Sequence, residues 1–205
     1  MPESKNIEKQ RIGAATGILA PVLGLTCILS AVASYPQFRW TNNALSDLGI
    51  IPGITGPLFN FGLCACGLLA FSFALLGLFA YFGKNLVGKI GAAVFAAAAL
   101  ALVCIGIFNE SFTPTHYLFS ITFFVLLPIS LFIITGAFAF RHQTKMALFT
   151  IIVALAAATP WIMYFIIRYV PGVAIPELTS GLAGSLWIIA LGYKILKENQ
   201  AKINS

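Results

Sequence analysis

Charged side chains are scarce in this chain, and their scarcity excludes most kinds of soluble protein. Only 9% of the 205 residues are Asp, Glu, Lys or Arg, whereas 60% are hydrophobic. A soluble domain carries roughly 25% charged residues. The mean hydropathy of +0.95 and recurrent apolar runs longer than about 18 residues indicate a polytopic membrane protein.

Several motifs that carry chemistry are also absent. The four cysteines form no C-x-x-C pair, which argues against a quinone-linked thiol oxidoreductase. The chain has neither a G-x-S-x-G elbow nor a phosphate-binding P-loop. A structural zinc site needs about four closely spaced ligands, and no such set is present. No apolar run has a charge near its centre, which argues against a proton relay or a voltage sensor.

Six apolar runs predict six transmembrane helices. Each run is long enough to cross a hydrocarbon core about 30 Å thick, which takes about 20 helical residues. The spans must be helical because lipid offers the backbone no hydrogen-bond partner. The predicted fold class is therefore all-α, a bundle of three helical hairpins that forms one transmembrane domain over residues 1–205. The predicted spans are roughly 12–34, 57–82, 87–108, 116–140, 146–169 and 178–196.

Lysine and arginine residues predict the orientation of the bundle. Ten of the 12 lie in the N-terminal tail, the second and fourth connections, and the C-terminal end, and only Arg39 and Arg168 lie on the other side. The positive-inside rule therefore places both termini in the cytoplasm of a multi-pass cell-membrane protein. Topology also explains the net charge of +6, so we expect no nucleic-acid partner. Cleavage after the "AVAS" segment (31–34) would leave five spans, but the first run exceeds the roughly 7–15 residues of a secretory h-region.

The acidic residues are divided equally between the two sides. Three lie in the predicted cytoplasmic tails, and each predicted outer connection holds one of the other three. The tips of three hairpins lie within a few helix diameters, each about 10 Å, so the outer acids can converge. Ionisable groups near the apolar region are costly and tend to be functional, although polar loops also use acids without any function. The tail acids are Glu3, Glu8 and Glu198, and the outer acids are Asp47, Glu110 and Glu177.

The segment "ESFTPTHYLFS" predicts a helix start. Thr113 is a suitable N-cap, and Pro114 suits the first helical position. This start places His116 in the first turn and Ser120 one turn further along the same face. A helix N-terminus disfavours an imidazolium, whereas nearby carboxylates favour one. His116 is therefore a candidate base or ligand, and the alternative is a ring that hydrogen-bonds a loop carbonyl.

The segment "TNNALSDLG" predicts a short interfacial helix, with Thr41 as its cap and Gly49 as its end. Asn43 and Asp47 would then share one face at i,i+4 spacing. Because polar groups near lipid are costly, we interpret this connection as part of a site rather than an inert spacer. The last span begins with Glu177 in its first turn, where the helix dipole stabilises an acid by about 0.3–1 kcal/mol without any function.

Small residues recur four apart in the first and last spans. The pairs are Gly13 with Gly17, Ser180 with Gly184, and Gly181 with Ser185. Such pairs permit close contact between membrane helices. They predict helix packing within the bundle, a homo-oligomer, or contact with another membrane protein.

Four segments resemble a known family. The segments are "NALSDLG", "LFNFG" with Asn60, "GIFNES" before "THYLFSITFF", and "PEL" before the last span. Together they resemble the uncharacterised prokaryotic membrane family called domain of unknown function nine-nine-eight, over nearly the whole chain. The resemblance implies a six-span membrane protein without an established activity, with Ser46, Asp47, His116 and Ser120 at matching positions. Alkaline ceramidases, which hold zinc with several histidines, are a weaker comparison because this chain offers one histidine on the outer side.

Two functions from different classes follow from these patterns. The first is a non-catalytic membrane protein that binds lipid, acts as a scaffold or passes a small solute, with a polar acidic and histidine cluster at the outer interface. The second is a membrane-embedded hydrolase or transferase that acts on an amphiphilic, lipid-like substrate in the outer leaflet by general acid–base chemistry. Membrane lipids are the expected partners in both cases.

The candidate site residues divide by role. The catalytic candidates are Asp47, His116 and Ser120, since Ser, His and Asp groups are recognised by geometry rather than by their order in the chain. His116 together with carboxylates also fits an oxygen-rich metal site, so both alternatives stay open, and the sequence names no cofactor. The substrate-binding candidates are Asn43, Ser46, Asn60, Glu110 and Glu177.

Overall fold

The computed structural model describes residues 2–204, and its side chains from Ser4 onward, so the tail acid Glu3 lies outside the described side chains. Six helices are long and apolar enough to cross a membrane, and no strand is present in the described range. These helices confirm the predicted all-α fold and its six spans. They are α1 (Pro2–Ala33), α2 (Thr55–Phe82), α3 (Leu86–Ile107), α4 (Thr115–Phe140), α5 (Thr144–Ile167) and α6 (Ala174–Ile203).

The six helices form a ring in chain order. Each helix packs against the next one, and α6 returns to pack against α1. The contact between α1 and α2 depends on glycine, because a Cβ on Gly13 would lie 2.2 Å from the backbone nitrogen of Gly77. A Cβ on Gly17 would lie 2.6 Å from the ring of Phe73. The small-residue face of α1 is therefore used inside the bundle.

An aromatic cluster fills the middle of the ring. Within α2, residues Phe73–Leu78 wind as a π-helix, and the buried ring of Phe73 meets Phe95 and Trp187 edge to face. The indole Nε1 of Trp187 donates a hydrogen bond to Thr150 Oγ1 at 3.0 Å. This bond satisfies the one polar atom of the indole in an apolar interior. The cluster thereby fixes α2, α3 and α6 relative to one another.

The connection between α1 and α2 folds back onto the bundle. Its buried leucines, Leu45 and Leu48, pack with Phe38 and Phe59. The helical segment within it is a 3₁₀ helix over Ser46–Ile50. The connection therefore packs as part of the folded bundle.

The predicted helix from Thr41 to Gly49 is wrong in its start and in its caps. The Thr41 hydroxyl donates to Asn42 Oδ1 rather than to a helix end, and Gly49 lies inside the 3₁₀ helix. The physical reason lies in the backbone, because the carbonyl of Thr41 accepts from the Gly172 amide at 2.8 Å. The carbonyl of Asn43 likewise accepts from Ala174 at 2.9 Å. These carbonyls bind the start of α6 and are unavailable to a local helix.

The predicted cap of α4 also needs correction. The helix begins at Thr115, so Pro114 takes the N-cap position and makes no side-chain cap bond. The Thr113 hydroxyl instead donates to the Glu110 carbonyl oxygen at 2.8 Å, because residues Glu110–Phe112 form a 3₁₀ turn. The predicted position of His116 in the first turn of α4 is confirmed.

Candidate functional site

The three predicted outer acids lie at one end of the bundle, which we call the acidic end. It comprises the connections over residues 34–54, 108–114 and 168–173, together with the adjoining helix ends. Each carboxylate there accepts at least one hydrogen bond from a different partner. The sequence predicted one acid per hairpin, and the structure gives each acid a defined position.

Glu177 is the most buried of the three acids. It lies in the first turn of α6, and only 9% of its surface is exposed. Its Oε2 accepts a hydrogen bond from the backbone amide of Leu45 at 2.5 Å. The two residues are 132 positions apart in the chain. This bond ties the first connection to the last helix.

Glu110 is half-buried and binds a side chain of the first connection. Its Oε1 accepts a hydrogen bond from Ser46 Oγ at 2.7 Å. Burial raises the pKa of Glu110 above its ordinary value, and the charge of Asp47 raises it further, against the opposing effects of Ser46 and His116.

Asp47 stabilises the shape of the first connection. Its Oδ2 accepts from Asn43 Nδ2 at 2.7 Å and from the backbone amide of Ala44 at 3.0 Å. Asn43 Oδ1 in turn accepts from the backbone amide of Arg39 at 2.8 Å. The sequence predicted that Asn43 and Asp47 share one face of a helix, whereas in the structure a turn brings the two side chains into contact.

His116 is buried, with 2% of its surface exposed. Its Nδ1 lies 2.8 Å from the carbonyl oxygen of Phe108, and its Nε2 lies 3.4 Å from Ser120 Oγ. A carbonyl oxygen only accepts, so Nδ1 carries a proton and Nε2 of the neutral ring is the acceptor for the serine. The predicted common face of His116 and Ser120 is confirmed. The group that orients the ring is the Phe108 carbonyl rather than Asp47.

Asn60 fixes the 3₁₀ helix against α2. Its Nδ2 donates to the Gly49 carbonyl at 2.9 Å, and Asn109 Nδ2 approaches the same oxygen at 3.4 Å. A Cβ on Gly49 would lie 2.7 Å from Asn60 Oδ1. Gly49 is therefore required by the close approach of Asn60, and its predicted role as a helix stop is not observed.

A cavity of about 130 Å³ lies inside the ring, beside the acidic end. Helices α1, α2, α3, α4 and α6 form its wall, which is mostly apolar. The polar side chains that reach it near the acidic end are Ser46, Ser120 and Glu177. The apolar wall includes Leu25, Phe59, Leu63, Phe95, Phe123 and Leu127.

This cavity was not predicted from the sequence, although it is bordered by the small residues Gly181, Gly184 and Ser185. The pattern of Gly181 with Ser185 predicted close contact between helices. At Gly181 close packing within the bundle is not observed, because a Cβ there would meet no atom within 4 Å, and the glycine borders the cavity instead. Gly184 lies closer to its neighbours, since its Cβ would approach Leu127 Cδ2 at 3.1 Å.

Neutral groups donate the hydrogen bonds that these carboxylates accept in the described part of the chain. The donors are the backbone amides of Ala44 and Leu45, an asparagine amide and a serine hydroxyl. The arginines of this end have other contacts, because Arg39 donates to backbone carbonyls and Arg168 lies over the Tyr164 ring. In residues 2–204, no three His, Cys, Asp or Glu side chains are arranged to hold a metal ion.

The comparison with protein families agrees with the resemblance read from the sequence. A family model described as a protein of unknown function (DUF998) matches residues 18–194. The matched range includes half of α1, most of α6, all of the four helices between them, and every residue of the acidic end described above. No curated protein and no solved structure matches the chain closely enough to add to this comparison.

Proposed function

We propose that this chain, which belongs to the DUF998 family of membrane proteins of unknown function, binds an amphiphilic, lipid-like molecule inside its helix ring. The observation that carries the proposal is the cavity. Its apolar wall suits a hydrocarbon chain, while Ser46, Ser120 and Glu177 provide polar contacts at one end. Binding pockets are typically apolar with a few polar groups that fix the orientation of the ligand.

The size of the cavity limits what enters it. At about 130 Å³ it is similar to an engineered apolar cavity of about 150 Å³ that binds benzene. It therefore suits one slender apolar chain or part of one. The hydroxyl and carboxyl groups at one end of the cavity favour a ligand whose polar head can make hydrogen bonds.

A cavity-filling substitution tests this proposal. Gly181→Leu places a side chain where a Cβ meets nothing within 4 Å, so the helix can keep its position while the cavity is filled. Leu182→Phe is the matched control, because Leu182 is the next residue on α6 and its side chain is exposed. We expect Gly181→Leu to weaken binding of dodecanol to the purified protein by at least about tenfold, or 1.4 kcal/mol, and Leu182→Phe to leave it unchanged. Equal binding by a folded Gly181→Leu variant would refute the proposal.

A second candidate function, ester hydrolysis, is favoured by the Ser120–His116 pair. Ser120 reaches the cavity, and its Oγ lies 3.4 Å from the nitrogen of His116 that can accept its proton. The Phe108 carbonyl orients the ring from the other side, as a carboxylate does in the Ser-His-Asp arrangement. The distance exceeds the roughly 2.6–3.2 Å of an active pair, which often tightens when substrate binds.

The corresponding reaction is the hydrolysis of an amphiphilic ester. Ser120 Oγ attacks the carbonyl carbon while His116 Nε2 takes its proton. The same proton passes to the leaving alcohol as the ester C–O bond breaks, and water then releases the acid in a second such cycle. A fluorophosphonate should label Ser120 in the wild type and in Ser185→Ala, whose serine also borders the cavity, but not in Ser120→Ala. If the wild type is not labelled and does not hydrolyse a p-nitrophenyl acyl ester, the binding function alone remains.

We further propose that the protein lies in the cell membrane with both termini in the cytoplasm. The support is the uneven distribution of the 12 lysine and arginine residues. Only Arg39 and Arg168 lie at the acidic end, and the other ten lie at the opposite end or in the tails. The acidic end would then face the outer side. A reporter that is active only in the cytoplasm, fused to the C-terminus, should be active, whereas one active only after export should be silent. The reverse pattern would refute this orientation.

A further inference from the structure

We infer that the bound molecule carries a protonated amine as its head group and that Glu177 holds this amine at the acidic end of the cavity. The inference rests on the proposed function, since it assigns a chemical class to the ligand of that cavity. It follows from the position of the carboxylates, the donors that they have, and the effect of burial on an unpaired charge.

The first step is the lack of a basic partner at the cavity. Glu177 borders the cavity, is 9% exposed, and accepts a hydrogen bond from the neutral amide of Leu45 through Oε2. Glu110 and Asp47 lie close enough for their negative charges to act on it. Arg39 and Arg168, the basic residues of this end, are bound to carbonyls and to an aromatic ring. A carboxyl group buried without an opposite charge favours its neutral form, whereas a cation bound beside it favours the ionised form.

The second step is the chemistry of the missing partner. An alkylammonium group supplies one positive charge and three N–H donors. Its donors match the acceptors that reach the cavity near Glu177, namely the carboxylate and the hydroxyls of Ser46 and Ser120. The attraction between ammonium and carboxylate is stronger in a cavity of low dielectric constant than in water.

The third step compares other head groups. A carboxylate or phosphate head would lie near three acids, and like charges at short range repel. An alcohol can exchange hydrogen bonds with the serines but provides no positive charge for the carboxyl group of Glu177. We therefore expect affinity to decrease from amine to alcohol to carboxylate for one chain length.

The experiment measures binding of dodecylamine, dodecanol and dodecanoate to the full chain in a neutral detergent near pH 7. We expect the amine to bind at least about tenfold more tightly than the alcohol, a difference of 1.4 kcal/mol, and the carboxylate to bind most weakly. Glu177→Gln should abolish the preference for the amine and leave alcohol binding intact. Glu198→Gln is the matched control, because it removes an acid from the same helix at the other end, where Glu198 pairs with Lys194. It should keep the preference.

The outcomes separate this inference from the function on which it rests. If the three compounds bind equally, or if folded Glu177→Gln keeps the amine preference, the amine assignment is wrong and amphiphile binding stands. If none of the three binds, the proposed function fails as well. Should Glu177→Gln not fold, Glu110→Gln provides the second variant, since its charge also acts on Glu177. It should reduce the amine preference, and an unchanged preference would count against the inference.

Discussion

Removal of the Glu177 carboxylate should destabilise the protein mainly through the amide that it binds. Leu45 is 6% exposed, so its N–H has no access to water once the acceptor is lost. A buried donor left without a partner costs about 1–3 kcal/mol. We expect Glu177→Ala to lower the free energy of unfolding by this amount. Glu177→Gln keeps an acceptor oxygen and removes the repulsion from Asp47 and Glu110, so its stability should stay within about 1 kcal/mol of the wild type.

The assay is denaturant unfolding of the full chain in detergent, followed by helical circular dichroism. Thr179→Ala is the control, because Thr179 is exposed on the same helix and its hydroxyl bonds only the local Ile175 carbonyl. Its effect should be within about 0.5 kcal/mol, as for most surface substitutions. Equal losses for Glu177→Ala and Glu177→Gln would show that the charge, rather than the Leu45 bond, determines the effect and would refute this reasoning.

Three further predictions concern other parts of the molecule. Gly13→Ala should destabilise the protein by about 1–3 kcal/mol or more in denaturant unfolding, because its Cβ would lie 2.2 Å from a backbone nitrogen of α2. Gly181→Ala should be neutral or stabilising by up to about 1 kcal/mol, because its Cβ would meet no atom within 4 Å. The pKa of Glu110 is raised, so its contribution to the free energy of unfolding is fully present below the ordinary carboxyl pKa of 4.5 and is lost as the pH rises through the raised pKa. Glu110→Gln should flatten this pH dependence, and an unchanged profile would exclude Glu110 as its source. Asn85→Ala removes the Oδ1 that accepts from the Gly88 amide at the start of α3 and should lower stability by about 1 kcal/mol in the same assay.

The fold was largely predictable because the bilayer restricts what a chain can do. Apolar runs of sufficient length must become helices in lipid, so counting them gave the six spans. The caps were less predictable, as Thr41 and Thr113 show. Both have the residue type of a helix cap, yet their hydroxyls bind Asn42 and the Glu110 carbonyl. Local patterns report what a segment prefers, whereas the partners of its backbone come from distant parts of the chain.

The positions of some candidate residues were predictable, and their contacts were much less so. Helical spacing correctly placed His116 and Ser120 on one face, and one acid per hairpin indicated a common end. The bond from Leu45 to Glu177 joins residues 132 positions apart and leaves no local pattern. The cavity was harder still, because glycines such as Gly181 permit either close contact or empty space, and only the positions of the other helices decide between them.

The ring closure between α1 and α6 sets an order for biogenesis. A ribosome that adds about 5–20 residues per second needs roughly 7–26 s to pass from Leu45 to its acceptor, given their separation of 132 residues. During that interval the nascent protein is a row of hairpins without its closing helix, and its first connection lacks its buried acceptor. A chain that terminates before α6 would have neither Glu177 nor the last wall of the cavity. Synthesis of α6 thus completes both the ring of helices and the wall of the cavity inside it.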